Sequence, residues 1–110
     1  LTLLDDLDAA KQSFEKCIAR SPAATYCLKM LADLASRRGD CAAAERWSQR
    51  YLAVDATSAE PFFLLGRAAL AQGRPHQSVV ESLERGTKLL PAGAAVVQAR
   101  MNAFNLAILE

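Results

Sequence analysis

Apolar residues recur along this chain at spacings of three and four, and the stripes they form are interrupted by short polar or glycine-containing breaks. From Leu3 to Ala19 the stripe is Leu7, Ala10, Phe14, Cys17 and Ile18, with Asp5, Asp6 and Asp8 near the start, where carboxylates complement the helix dipole. The helix is expected to end near Arg20, and Ser21-Pro22 to supply an N-cap oxygen and a first-turn proline for the next. A second stripe, Tyr26, Cys27, Leu28, Leu31, Leu34 and Ala35, stops at Arg37-Arg38-Gly39. Asp40 is the expected cap of a third helix carrying Ala43, Ala44, Trp47, Tyr51 and Leu52.

Beyond Asp55-Ala56-Thr57-Ser58, where either hydroxyl is a candidate cap, a fourth helix runs through Phe62, Leu65, Gly66, Ala69 and Leu70 to Gln72-Gly73. A fifth begins around Pro75, presents Val79, Val80, Leu83 and Leu89, and closes at Leu90-Pro91. Gly86 lies inside it at a cost of roughly 1 kcal/mol relative to alanine, which predicts a neighbouring helix close enough to leave no room for a side chain. The last helix, from about Ala94 to Leu109, carries Val97, Met101, Phe104 and Ile108 on one side. Six helices joined by such short connections are antiparallel neighbours in sequence.

The breaks themselves are periodic. Gly39 and Gly73 are separated by 34 residues, and the same step back from Gly39 reaches Asp5. A closed bundle needs no common period, so the recurrence points to a helical solenoid.

Those residues give the chain its resemblance to the tetratricopeptide repeat, a helix-turn-helix unit of about 34 residues. The best match is Thr25 to Ser58, with Leu28, Leu31, Ala32 and Ala35 in the first-helix pattern, Gly39-Asp40 at the turn and Ala44 at the small second-helix position. Tyr51 stands where a small residue is usual, which predicts an outward-shifted neighbour or a compensating gap. A second unit, residues 59–92, matches through Phe62, Leu65, Gly66 and Ala69, then Gly86 and Pro91. Its register needs one extra residue around Arg74-Pro75, with Ser78 or Val79 at the small position. Residues 1–24 resemble the second half of a unit, and residues 93–110 a lone first helix or a cap. The fold the resemblance implies is an all-α, right-handed α-solenoid.

What it implies about function is a concave groove lined by the first helix of each unit and holding a peptide or helix of another protein. Carried over position by position, the groove presents Tyr26, Lys29, Met30, Asp33 and Arg37, then Phe63, Leu64, Arg67 and Leu70, then Gln98, Asn102 and Asn105. Phe63 is expected to be the exposed apolar anchor, and Lys29 or Arg67 to meet an acidic group of the partner. The family's subgroup that clamps a terminal carboxylate is excluded, because Asp33 and Leu64 occupy positions where the clamp needs asparagine. The alternative is a structural spacer whose terminal helices stack on further repeats or on another copy.

Composition narrows the partner. A formal net charge of +1 argues against a polyanion, so no nucleic acid is expected. Charges interrupt every helical stretch before the roughly 20 apolar residues that a bilayer span needs, so no membrane insertion is expected. His76 is the single histidine, and neither paired histidines, a CxxC nor a phosphate-cradling glycine loop is present. No catalytic, metal or cofactor constellation can therefore be assembled. Cys17, Cys27 and Cys41 admit two readings: three small buried thiols in a reducing compartment, or a Cys17–Cys27 disulfide that leaves Cys41 free. Leu1 in place of Met, with no basic leader segment, predicts a piece of a longer multidomain protein, and the Ala- and Arg-rich style resembles bacterial arrays.

Overall fold

The computed structural model describes the backbone of residues 3–109 and the side chains of residues 6–103 and of Leu106. Six helices make up this span: α1 (Leu3–Arg20), α2 (Thr25–Arg37), α3 (Cys41–Val54), α4 (Glu60–Ala71), α5 (His76–Lys88) and α6 (Ala92–Leu109), with no strand among the described residues. Each helix packs on the next, and α2 also touches α4. The radius of gyration is 14.5 Å, above the roughly 13 Å of a compact domain of this length.

The two glycine turns are built alike. Gly39 has φ +77° and Gly73 φ +69°, a left-handed conformation that strains any residue with a β-carbon. That reversal lets Asp40 N–H reach Ala35 C=O at 2.9 Å and Arg74 N–H reach Ala69 C=O at 3.0 Å, the same Schellman closure 34 residues apart. After the first turn the Asp40 carboxylate accepts from Ala43 N–H at 3.0 Å and caps α3. After the second, Pro75 intervenes before α5, so that connection is one residue longer, as the register requires.

Second-helix burial then repeats at 35 residues: Ala44 with Val79, Ser48 with Leu83, and Tyr51 with Gly86 are all buried. Val79, and not exposed Ser78, fills the inner position. Buried Ser48 donates to its own helix at Ala44 C=O, 2.7 Å, so no polar group is stranded there. Ile18, Cys27, Leu28, Leu31 and Tyr51 form one core cluster. Phe63, Ala69, Val79 and Leu83 form a second. Leu64 leans on the first cluster while its neighbour Phe63 belongs to the second, so α4 joins the two. Cys17 and Cys27 are linked by a disulfide with Cα atoms 6.4 Å apart, tying the end of α1 to the start of α2. Cys41 is a free thiol.

Three local expectations are corrected, and one residue gains a partner. Ser21-Pro22 does not begin α2: Ser21 C=O accepts from Ala24 N–H in a tight turn, and α2 starts at Thr25 without a side-chain cap. Neither Thr57 nor Ser58 caps α4, because Thr57 donates its N–H and hydroxyl to Asp55, at 2.9 and 2.6 Å, and the N-cap is Ala59. Asp8 pairs with Arg38, fastening α1 to the α2–α3 turn, whereas Asp5 lies outside the described side chains. Finally, Val97 and Met101 are 58% and 53% exposed. The side of α6 turned to α5 carries Asn102 and Leu106 instead.

Candidate functional site

Helices α2 and α4, which touch, carry nine of the twelve residues expected in a groove. Lys29 of α2 reaches Glu60 in the first turn of α4 at 3.1 Å. Glu60 raises the Lys29 pKa, first by accepting its hydrogen bond and then by its charge. One turn along α2, Asp33 and Arg37 pair at 3.1 Å. Arg67, exposed on α4, joins none of the ion pairs found among the described residues. Tyr26 is 64% exposed and meets Phe14 edge to face, centroids 6.0 Å apart, which holds its ring at the α1 end of the surface. Met30 and Leu64 are half-buried on these helices, and half-buried Leu70 packs against the second core cluster.

At the other end, the start of α4 and the end of α5 enclose a cleft of about 460 Å³, bounded by Thr57, Glu60, Leu64, Arg67 and Leu90, with Phe63 at its base. Phe63 is 9% exposed and packs beneath Gly86. It is therefore a core residue and not the exposed anchor expected from its position. The reason is local: with no side chain at 86, the space against α5 admits an aromatic ring from α4.

Gln98 and Asn102 do not continue this surface. Gln98 donates to Asn102 at 2.9 Å, Asn102 to Thr87 Oγ1 at 3.3 Å, and Thr87 to Leu83 C=O at 2.8 Å, a chain that fastens α6 to α5. Helix α6 packs on α5, with Leu106 against the core cluster to which Phe63 and Ala69 of α4 belong, and Asn105 lies outside the described side chains. His76 is exposed in the first turn of α5. No three metal-ligating side chains gather among the described residues, and no described helix is long and apolar enough to cross a membrane.

Sequence reasoning missed Glu60 as the partner of Lys29, although a signal was present. Three ion pairs link neighbouring segments at slightly less than one period: Asp8 with Arg38, Lys29 with Glu60, and Glu45 with Arg74, separated by 30, 31 and 29 residues. Opposite charges at that offset are close in space when helix pairs stack in register. Glu45 is the most buried of these carboxylates, and it also accepts from Gln72 Nε2 at 3.0 Å.

No protein-family model matches the chain, and no curated protein matches it.

Proposed function

We propose that this chain is a tetratricopeptide-like solenoid segment whose α2–α4 surface binds an amphipathic peptide or helix of another protein. The observation that carries the reading is the direct contact of α2 with α4, which are not consecutive, beside a cleft with leucine walls and Arg67 at its edge. The repeated Schellman turns and the 35-residue recurrence of buried second-helix positions support the solenoid. Because Lys29 and Arg37 already have carboxylate partners, Arg67 is the cation left to orient an acidic group. Leu64 and Met30 supply the apolar contact.

Selection from a random peptide library displayed on phage tests this directly. Peptides enriched on the wild-type chain should combine apolar residues with an acidic one, lose binding on Leu64→Asp, and weaken on Arg67→Gln. Enrichment indifferent to both substitutions would remove the α2–α4 surface from consideration.

A second reading, self-association through a terminal helix, is favoured by α6. Its Val96, Val97 and Met101 are exposed around Arg100, whereas the outward positions of α1 include Gln12, Ser13, Glu15 and Lys16. Solenoids end on polar faces. Sedimentation velocity of the wild type and of Val97→Glu/Met101→Glu across a hundredfold concentration range separates the readings: only association that the double variant abolishes supports this one.

A further inference from the structure

Helix α2 turns a second set of residues, distinct from Tyr26, Lys29 and Met30, toward a gap between α1 and α3. The backbones of those two helices flank α2 without approaching each other among the described residues, and the gap is a cleft of about 500 Å³. This is within the range of small-ligand sites, roughly 300–1,000 Å³. Its floor is apolar, Leu31, Leu34 and Ala43 being each at most 9% exposed, whereas polar groups make up most of its exposed lining. Half-buried Trp47 forms one side, and the Arg50 guanidinium lies 4.9 Å from the centre of its ring.

The charges at the mouth are nearly all committed. Lys11 pairs with Glu15 at 3.9 Å, Arg38 with Asp8, and Asp40 caps α3 through Ala43 N–H. Arg46 is exposed at the mouth and joins none of the ion pairs among the described residues. An apolar base, an indole wall and one uncommitted guanidinium together define a ligand with an apolar body and a single negative charge. A planar carboxylate is the anion that a guanidinium meets with two parallel hydrogen bonds.

We infer that the α1–α3 cleft binds a small amphiphilic carboxylate, its aryl or branched-alkyl body against Leu34, Ala43 and Trp47 and its carboxylate on Arg46. That chemistry has two sources, a free organic acid or the C-terminal residue of a peptide. The site shares no residue with the cleft between α4 and α5, so it stands or falls independently of the peptide-binding proposal.

Trp47 is the single tryptophan of the chain and reports on the site without labelling. Titration of the full chain with 3-phenylpropionate should give a saturable change in its emission. The neutral isostere 3-phenylpropanamide should bind at least tenfold more weakly, and Arg46→Gln should lower affinity for the acid at least tenfold while leaving the amide unaffected. Gln49→Ala, exposed on the same helix, should bind the acid as the wild type does. Proton–nitrogen correlation spectra should shift at Ala35 and Ala43, with Glu60 and Leu64 unmoved. An N-acetylated dipeptide ending in a phenylalanine carboxylate distinguishes the sources: tighter binding than 3-phenylpropionate assigns the site to peptide termini, and weaker binding to free acids. An unsaturable response, equal affinity for acid and amide, wild-type affinity in Arg46→Gln, or shifts confined to α4 would each overturn the inference.

Discussion

The β-carbon that Gly86 lacks would fall 2.6 Å from Cε1 of Phe63, so the glycine of α5 and the aromatic ring of α4 fit only as a pair. In the first core cluster the arrangement is exchanged, with Leu28 on α2 and Tyr51 on α3, 35 residues before Phe63 and Gly86. Each core cluster thus holds one aromatic residue and a smaller counterpart at these positions, but on opposite helices. This is the compensation that an oversized Tyr51 requires.

Gly86→Ala is therefore expected to destabilise the chain even though alanine is the better helix former by roughly 1 kcal/mol. The new methyl would also meet Ala59 C=O at 3.0 Å, and neither ring nor backbone yields easily. Overpacking should cost about 1–3 kcal/mol before that gain, with Gly86→Leu at or beyond the upper end. Gly66→Ala should cost less, because its nearest neighbour is the terminal methyl of Leu83, at 2.7 Å, which can rotate away. Urea denaturation of the three variants gives the order, and Phe63→Leu/Gly86→Ala should recover part of the loss. Equal midpoints for Gly86→Ala and the wild type would refute the close fit.

The disulfide closes a short loop across the α1–α2 turn, with a sequence separation of 10. Chain-entropy arguments give about 2–3 kcal/mol for a loop of that size. Reduction, or Cys17→Ser/Cys27→Ser, should lower the stability by that order. Unreduced protein should titrate with one reactive thiol, Cys41, and reduced protein with three. Three thiols in the unreduced protein would mean that the bridge does not form.

The parts legible from sequence were those where a single residue type is physically required. Gly39 and Gly73 announced the turns because only glycine takes that backbone conformation without strain, and Gly86 announced a close approach because a helix interior otherwise disfavours it. The extra residue before α5 followed from proline and the period. What stayed hidden was set by alternatives of nearly equal energy. Ser21, Thr57 and Ser58 could each cap a helix, and their actual roles depend on turns that only the assembled chain defines. Helix α6 carries one charged residue, Arg100, in its length, so periodicity did not select which side faces α5. In the run Phe62-Phe63-Leu64-Leu65 every position is apolar, and the choice of buried side fell to Gly86, one helix away.

The Asp55 carboxylate is held below its ordinary pKa, chiefly by the Thr57 hydroxyl and then by Thr57 N–H. A depressed carboxylate contributes stability that is fully present above its unfolded value of about 3.9 and lost as pH falls through the lower folded value. Carbon-detected NMR titration should place Asp55 below that reference. Thr57→Val removes the larger cause and should move the titration upward while leaving the backbone bond. An unchanged midpoint would show that the hydroxyl does not act on Asp55.

The burial of Phe63 changes how the α2–α4 surface must be probed. Phe63→Ala removes a core ring, which should cost about 3–5 kcal/mol, so any loss of binding in that variant would report unfolding as much as contact. Leu64 and Met30 are half-buried at the surface itself, and truncating a contact of this kind at the centre of an interface costs on the order of 1–2 kcal/mol of binding. Leu64→Ala should therefore weaken a selected peptide about tenfold with its helical circular dichroism retained. Arg67→Gln should act mainly on association rate and should flatten the salt dependence, as expected for a charge at the edge of the cleft. The control on the far helix must avoid Glu45, whose carboxylate holds Arg74 and Gln72; Glu45→Ala is expected to lower the denaturation midpoint by itself. Gln49→Ala, exposed on α3, is the suitable control and should leave both binding and stability unchanged. Equal loss of affinity in Gln49→Ala and Leu64→Ala would move the contact off the α2–α4 surface.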